Sequence, residues 1–131
     1  MTRIIEKTNP RLTSLILLLK NKSRENEVKI WREIASRLET PNRNYAEVNL
    51  SKISRYAQNG ETIIVPGKVL GSGLLEQSVK VAALNFSEAA TLKIKDAKGQ
   101  CMTIEQLLQD NPKGGGVRIL RGRRYGNNNQ R

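Results

Sequence analysis

Six cations, Lys113, Arg118, Arg121, Arg123, Arg124 and Arg131, fall within the last nineteen residues, and no carboxylate accompanies them. A stretch of this kind repels itself unless a polyanion neutralises it. Five of the six are arginines, whose planar fork suits bidentate contact with phosphate oxygens better than a lysine ammonium does. Gly122, Gly126 and Asn127 to Asn129 lie among them. These residue types build no core, so residues 121–131 read as a flexible basic tail that a ligand orders. Residues 1–44 carry ten basic against five acidic side chains, whereas 45–112 balance seven against seven. The whole of the formal net charge of +11 lies at the two ends, and phosphate neutralisation is the chemistry this supports.

Other chemistry is scarce. There is no histidine and one cysteine, Cys101. This removes triads with a histidine base, histidine-containing zinc sites and paired-cysteine metal sites. Glu25, Glu27, Glu33 and Glu39 are interspersed with basic residues on helical stretches and read as intrahelical charge partners. No enzyme, cofactor, metal or small-molecule substrate is expected. The longest apolar run, Leu15 to Leu19, is five residues, far short of the roughly 18 that suggest a membrane span. Thr2 to Glu6 lack the apolar region of a secretory signal. A lone thiol fits a reducing compartment, so the cytoplasm is the expected location.

The segment Val65-Pro66-Gly67-Lys68-Val69-Leu70-Gly71-Ser72-Gly73 is not a nucleotide loop. Lys68 is followed by Val69, which places no hydroxyl for magnesium, and the third glycine of a dinucleotide fingerprint is missing. Tight turns between short strands account for most of its glycines. Lys68 and Ser72 beside unobstructed amides would also suit a phosphate.

The elements that must carry these cations are a mixture of α and β. Asn9-Pro10 opens a helix in which Leu12, Leu15, Ile16 and Leu19 form one stripe, with a stop near Asn21 to Ser23. A second helix runs from about Asn26, burying Val28, Trp31, Ile34, Ala35 and Leu38, until Thr40-Pro41 closes it. The two, joined by a four-residue link, make an N-terminal helical hairpin over 9–40, preceded by a basic extension over 1–8. Its apolar faces need cover from the 45–120 αβ core, the two together forming a single domain over 9–120. In that core, Ala46 to Asn49 is a strand and Leu50 to Gln58 a helix that buries Leu50, Ile53 and Tyr56 or Ala57, ended by a left-handed cap at Asn59-Gly60. Thr62 to Val65 is a strand buried on both faces. Pro66-Gly67 is a turn with positive φ at Gly67, and Lys68 to Leu70 is the next strand. Val79 to Leu84 is a strand before a helix capped by Ser87 and ended at Gly99. Thr103 with Gln106 opens a further helix that ends at Asn111-Pro112. Val117 to Leu120 is a last strand, docked by Val117 and Ile119 with Arg118 outward.

Several blocks, in order, carry a resemblance. Asn9-Pro10-Arg11-Leu12, Val65 to Gly73, Val81-Ala82-Ala83-Leu84-Asn85-Phe86-Ser87, Thr103 to Leu107, and Asn111-Pro112 to Gly116-Val117-Arg118-Ile119 resemble the large-subunit ribosomal protein family L-eighteen-e of archaea and eukaryotes, with a length like the archaeal members. The resemblance implies the fold of the C-terminal part of ribosomal protein L-fifteen, an irregular superhelix of strand-strand-helix units. It also implies binding to large-subunit rRNA beside neighbouring ribosomal proteins, in the large subunit, without catalysis. The chain departs from the family at Ala97-Lys98-Gly99-Gln100, where a second glycine is expected, and Gly122 to Arg131 matches no family block.

On this reading the RNA-binding residues are Arg11, Lys20, Lys22 and Arg24 around the first helix, Arg32, Arg37, Arg43 and Asn44 around the second, Lys68 and Ser72 in the glycine segment, and Arg118, Arg121, Arg123 and Arg124. Cations lower the repulsion between packed phosphates and release condensed counterions. The alternative is a small DNA-binding protein that lays the hairpin in a groove, although no helix clusters Asn, Gln and Arg for base edges. A membrane-surface protein is a third reading, and the basic tail offers only Tyr125 for insertion.

Overall fold

The computed structural model describes residues 10–39 and 46–120. They fall into two compact units: a hairpin unit of residues up to 45 with 105–115, and a sheet unit of 46–104 with residues from 116 onward.

In the hairpin unit, α1 spans Pro10–Asn26. Leu12, Leu15, Ile16, Leu19 and Ser23 are its buried face, the i, i+3, i+4, i+7 stripe of an amphipathic helix. The helix runs past the expected stop at Asn21 to Ser23. Those polar residues do not break it, because Ser23 is buried and its hydroxyl donates to the Val28 carbonyl at 2.5 Å. The stop comes at Glu27, with φ 55, and the Val28 amide donates back to the Ser23 carbonyl at 3.2 Å. This is a left-handed C-terminal cap that satisfies an otherwise open carbonyl. The link to α2, Lys29–Leu38, is therefore Glu27-Val28 alone, shorter than the sequence suggested, and Val28 precedes α2. Trp31, Ile34, Ala35 and Leu38 are fully buried. Cover comes in part from the far end of the chain: Leu107 and Leu108 are buried, and Trp31 Nε1 donates to the Pro112 carbonyl at 2.7 Å. Both helices of the hairpin are ordinary in composition and owe their stability to this packing.

The sheet unit contains β1 (Ala46–Asn49), α3 (Leu50–Tyr56), β2 (Thr62–Leu70), β3 (Lys80–Phe86), α4 (Glu88–Asp96), β4 (Gln100–Thr103) and β5 (Val117–Ile119). A fifth helix, α5 (Ile104–Asp110), follows directly on Thr103 and, apart from Ile104, belongs to the hairpin unit. The five strands form one sheet in the order β1-β2-β3-β4, with β5 also on β2, and every pairing is parallel. Two short strands share one edge of β2: β5 pairs with Thr62 to Ile64, and β1 with Gly67 to Leu70. On one sheet face Ile63, Val65, Val69, Val81 and Ala83 form a core with Leu50 and Ile53 of α3 and Ala90 and Ile94 of α4. Ile64 and Ala82 alternate with these and are buried as well, as a two-sided parallel strand requires.

The structure differs most from the sequence expectation at Pro66-Gly67. There is no turn: β2 is one nine-residue strand through both residues, and Gly67 is not among the glycines with positive φ. The pairing with β3 shifts register between Val65 and Lys68, and a proline without a ladder donor is tolerated at such an irregularity. Gly67 is small for a different reason, since a Cβ there would collide with the Ala46 carbonyl of β1. Asn59-Gly60 is likewise no helix cap. α3 ends at Tyr56 with Ala57 extended, and Gly60, with φ 82, turns the chain into β2. Of the two candidates after Ile53, Ala57 is buried and Tyr56 exposed. β4 was not foreseen as a strand. Ser87 caps α4 as expected, accepting from the Ala90 amide at 3.1 Å. Beyond α4, Lys98 takes φ 66 while the Gly99 amide reaches the Ile94 carbonyl at 2.9 Å. The lysine thus holds the left-handed position that glycine favours.

Candidate nucleic-acid interface

Folding redistributes the charge read from the sequence. Glu105 and Asp110, part of the neutral stretch 45–112, belong to the hairpin unit. Among the described residues that unit has eight basic and six acidic side chains, and the sheet unit eight and five. The middle of the chain, once folded, is cationic.

In the hairpin unit most expected cations meet carboxylates. Arg11 grips Glu105 with two bonds, Nε to Oε2 at 3.1 Å and Nη2 to Oε1 at 3.2 Å. Lys20 reaches Glu39 at 2.6 Å, Lys22 reaches Glu25 at 3.7 Å, and Arg37 reaches Glu33 at 3.0 Å. Glu25 and Glu33 are the intrahelical partners expected, whereas Glu39 pairs across to the other helix and Glu27 is used in the link. Arg24 donates to Asn21 Oδ1 at 3.3 Å. Arg32 is exposed, and with Arg24 and Lys29 it borders an open groove that also includes Ser23, Val28, Ser36 and the carboxylates of Glu27 and Glu33. Exposed pairs of this kind contribute little to stability, because solvent screens them. Another anion can therefore displace the carboxylate at small cost.

The sheet unit brings together a different set. Lys68 is exposed on β2, in register between Glu47 of β1 and Asn85 of β3. Ser72 lies just beyond the strand, exposed, in a loop whose Gly71, Ser72 and Gly73 carbonyls are engaged. Lys93 Nζ on α4 donates to the Gly71 carbonyl at 2.8 Å and the Gly73 carbonyl at 3.0 Å, and the Ser51 amide donates to the Ser72 carbonyl at 3.1 Å. Lys93 carries no sequence signal for this role. It lies 22 and 20 positions from the residues it holds, and no local pattern signals such a bond. Arg118 faces outward from β5 as expected, and its Nε donates to Glu61 Oε2 at 2.7 Å. Burial pushes the Glu61 carboxyl up, but the bond from the Gln58 amide and the Arg118 guanidinium outweigh it and hold the group below its ordinary value. Burial also raises the Cys101 thiol, against the opposing pull of Lys95 and a bond with Thr91, which makes it a poor nucleophile at neutral pH.

Arg43, Asn44, Arg121, Arg123 and Arg124, with the basic extension and tail, lie outside the described residues. Among those described, no cluster of three or more His, Cys, Asp or Glu could hold a metal, and no helix is long and apolar enough to cross a membrane.

Comparison with known proteins agrees with the resemblance. Relatives named large ribosomal subunit protein eL18 are 86% identical over 121 residues in Methanoregula boonei, covering 92% of this chain and 100% of the relative. The corresponding protein of Archaeoglobus fulgidus is 54% identical over 116 residues, covering 88% and 99%. That of Haloarcula marismortui is 51% identical over 117 residues, covering 89% and 100%. The model of the family described as ribosomal protein 60S L18 and 50S L18e matches residues 2–131, and the chain belongs to that family.

Proposed function

We propose that this protein is a structural constituent of the archaeal large ribosomal subunit, in the cytoplasm, and that it binds and stabilises folded large-subunit rRNA beside neighbouring ribosomal proteins. Family membership along nearly the whole chain carries the reading. A cationic surface on both units supports it, since each unit has more basic than acidic side chains. The family is one of ribosomal components without catalytic chemistry, in keeping with a chain lacking histidine. Arg32 and Lys68, exposed and without a carboxylate among the described residues, are the first contacts to phosphate. Arg11, Lys20, Lys22 and Arg37 join by exchanging a carboxylate for phosphate, and the basic tail adds reach. Neither the family nor the arrangement of helices favours the duplex-DNA alternative. The kinship of the sheet unit with protein L-fifteen is also proposed, on the resemblance alone.

The test is affinity for a folded large-subunit rRNA fragment against duplex DNA at equal salt, with sedimentation of the chain alongside large subunits from a low-salt extract. Preference for the RNA and co-sedimentation are expected. Equal affinity for both, or a chain left in the supernatant, overturns the reading.

A further inference from the structure

The loop after β2 is asymmetric in its backbone groups. The three carbonyls of Gly71, Ser72 and Gly73 are bound within the sheet unit, two by Lys93 and one by Ser51. The amides of Ser72, Gly73 and Leu74 donate to no acceptor among the described residues, and all three residues are exposed. Gly73 has φ 94, and a Cβ there would lie 2.6 Å from Ser51 Cβ, so the loop is held close against α3. Successive open amides around a residue of positive φ form a concavity that suits an anion. With its oxygens fixed on one ammonium and one amide, the loop offers an anion donors instead of repelling it. The charge of Lys93, spent on no carboxylate among the described residues, adds to the attraction.

We propose that Ser72, Gly73 and Leu74 form an amide-lined site for one phosphate of a polynucleotide backbone, and that Lys93 is the positioning residue that keeps the loop in its binding form. The assignment rests on the RNA-binding reading and deepens it. It gives Lys93 a role distinct from that of Lys68, which meets phosphate from the strand face. Leu74, 72% exposed, lies at the edge of the site, where its side chain can cover the contact from water.

The test uses the full chain, labelled for amide spectroscopy, titrated separately with a folded rRNA fragment and with inorganic phosphate. The fragment is expected to shift the Ser72, Gly73 and Leu74 amides together at its own binding midpoint, with phosphate doing so only at far higher concentration. Lys93→Met should lose the loop shifts and about tenfold in RNA affinity while shifts elsewhere persist, and Lys93→Arg should restore part of them. Lys68→Ala should instead lower the salt slope by about one and leave the loop shifts in place. A purely structural lysine would lower shifts everywhere in step with the thermal midpoint, which overturns the positioning role. RNA bound with unmoved loop amides in the unaltered chain overturns the site and leaves the functional reading standing. Loop shifts with phosphate but no RNA binding anywhere overturn the functional reading, and with it the polynucleotide as occupant.

Discussion

In the hairpin unit four of the eight described basic side chains, Arg11, Lys20, Lys22 and Arg37, reach a carboxylate of the same unit. In the sheet unit Lys68, Lys80, Lys95 and Lys98 reach none among the described residues, and Lys93 is turned onto backbone oxygens. The first arrangement stores charge in exchangeable pairs. The second leaves charge open and fixes it through the backbone. Net charge alone misjudges a binding surface: the two units differ little in sum and more in how their cations are held, on carboxylates in the one and in part on backbone oxygens in the other.

The sharpest break between the units is Gly67→Val. It sets a branched side chain against the Ala46 carbonyl and should cost the sheet unit about 4 kcal/mol or more. An unchanged urea midpoint would show that β1 does not need that close approach. In the hairpin unit the matching weakness is a side chain: Trp31→Phe removes the bond to Pro112 and some volume, at a cost of about 1–3 kcal/mol. Denaturant melts of the two variants give the contrast directly.

Smaller changes address the charges. Glu39→Gln with Glu105→Gln removes the two carboxylate charges facing Lys20 and Arg11, so RNA affinity should rise and its salt slope steepen, while stability moves by less than about 1 kcal/mol. No gain in affinity would mean the paired cations take no part. Glu61 supplies a pH test. Its folded value lies below the ordinary glutamate value, so its interactions stabilise the fold above about pH 4.3 and are lost as pH falls through the folded value. Arg118→Ala should weaken that acid-side loss, measured as midpoint against pH, and identical acid limbs would reject the pairing. The smallest effect is Lys98→Gly, which relieves a left-handed lysine and should add about 0.5–1 kcal/mol.

Much of this was legible locally. The stripe of Leu12, Leu15, Ile16 and Leu19, the Ser87 cap and the β-branched run from Thr62 announced themselves, because short-range physics decides them. Pro66-Gly67 misled, since the pair is a turn wherever no neighbouring strand demands close approach, and the demand came from Ala46. β4 was missed because four residues with Cys101 and Met102 have no period of their own and become a strand only against β3. For the interface, residue type identified the cations and sequence order hid their partners: Glu105 lies 94 residues from Arg11. Lys93 was invisible for the same reason.

The shared edge of β2 also dictates an order of assembly. Residues 62–64 have no neighbour on that side until residues 117–119 arrive, and the Leu120 amide then closes on the Ile64 carbonyl at 3.0 Å. Parallel pairings of such separation form late, after the local helices. During synthesis the nascent protein therefore carries a bare, β-branched strand margin able to recruit another chain. Maturation is complete only when the segment that leads into the arginine-rich tail has snapped into place beside it.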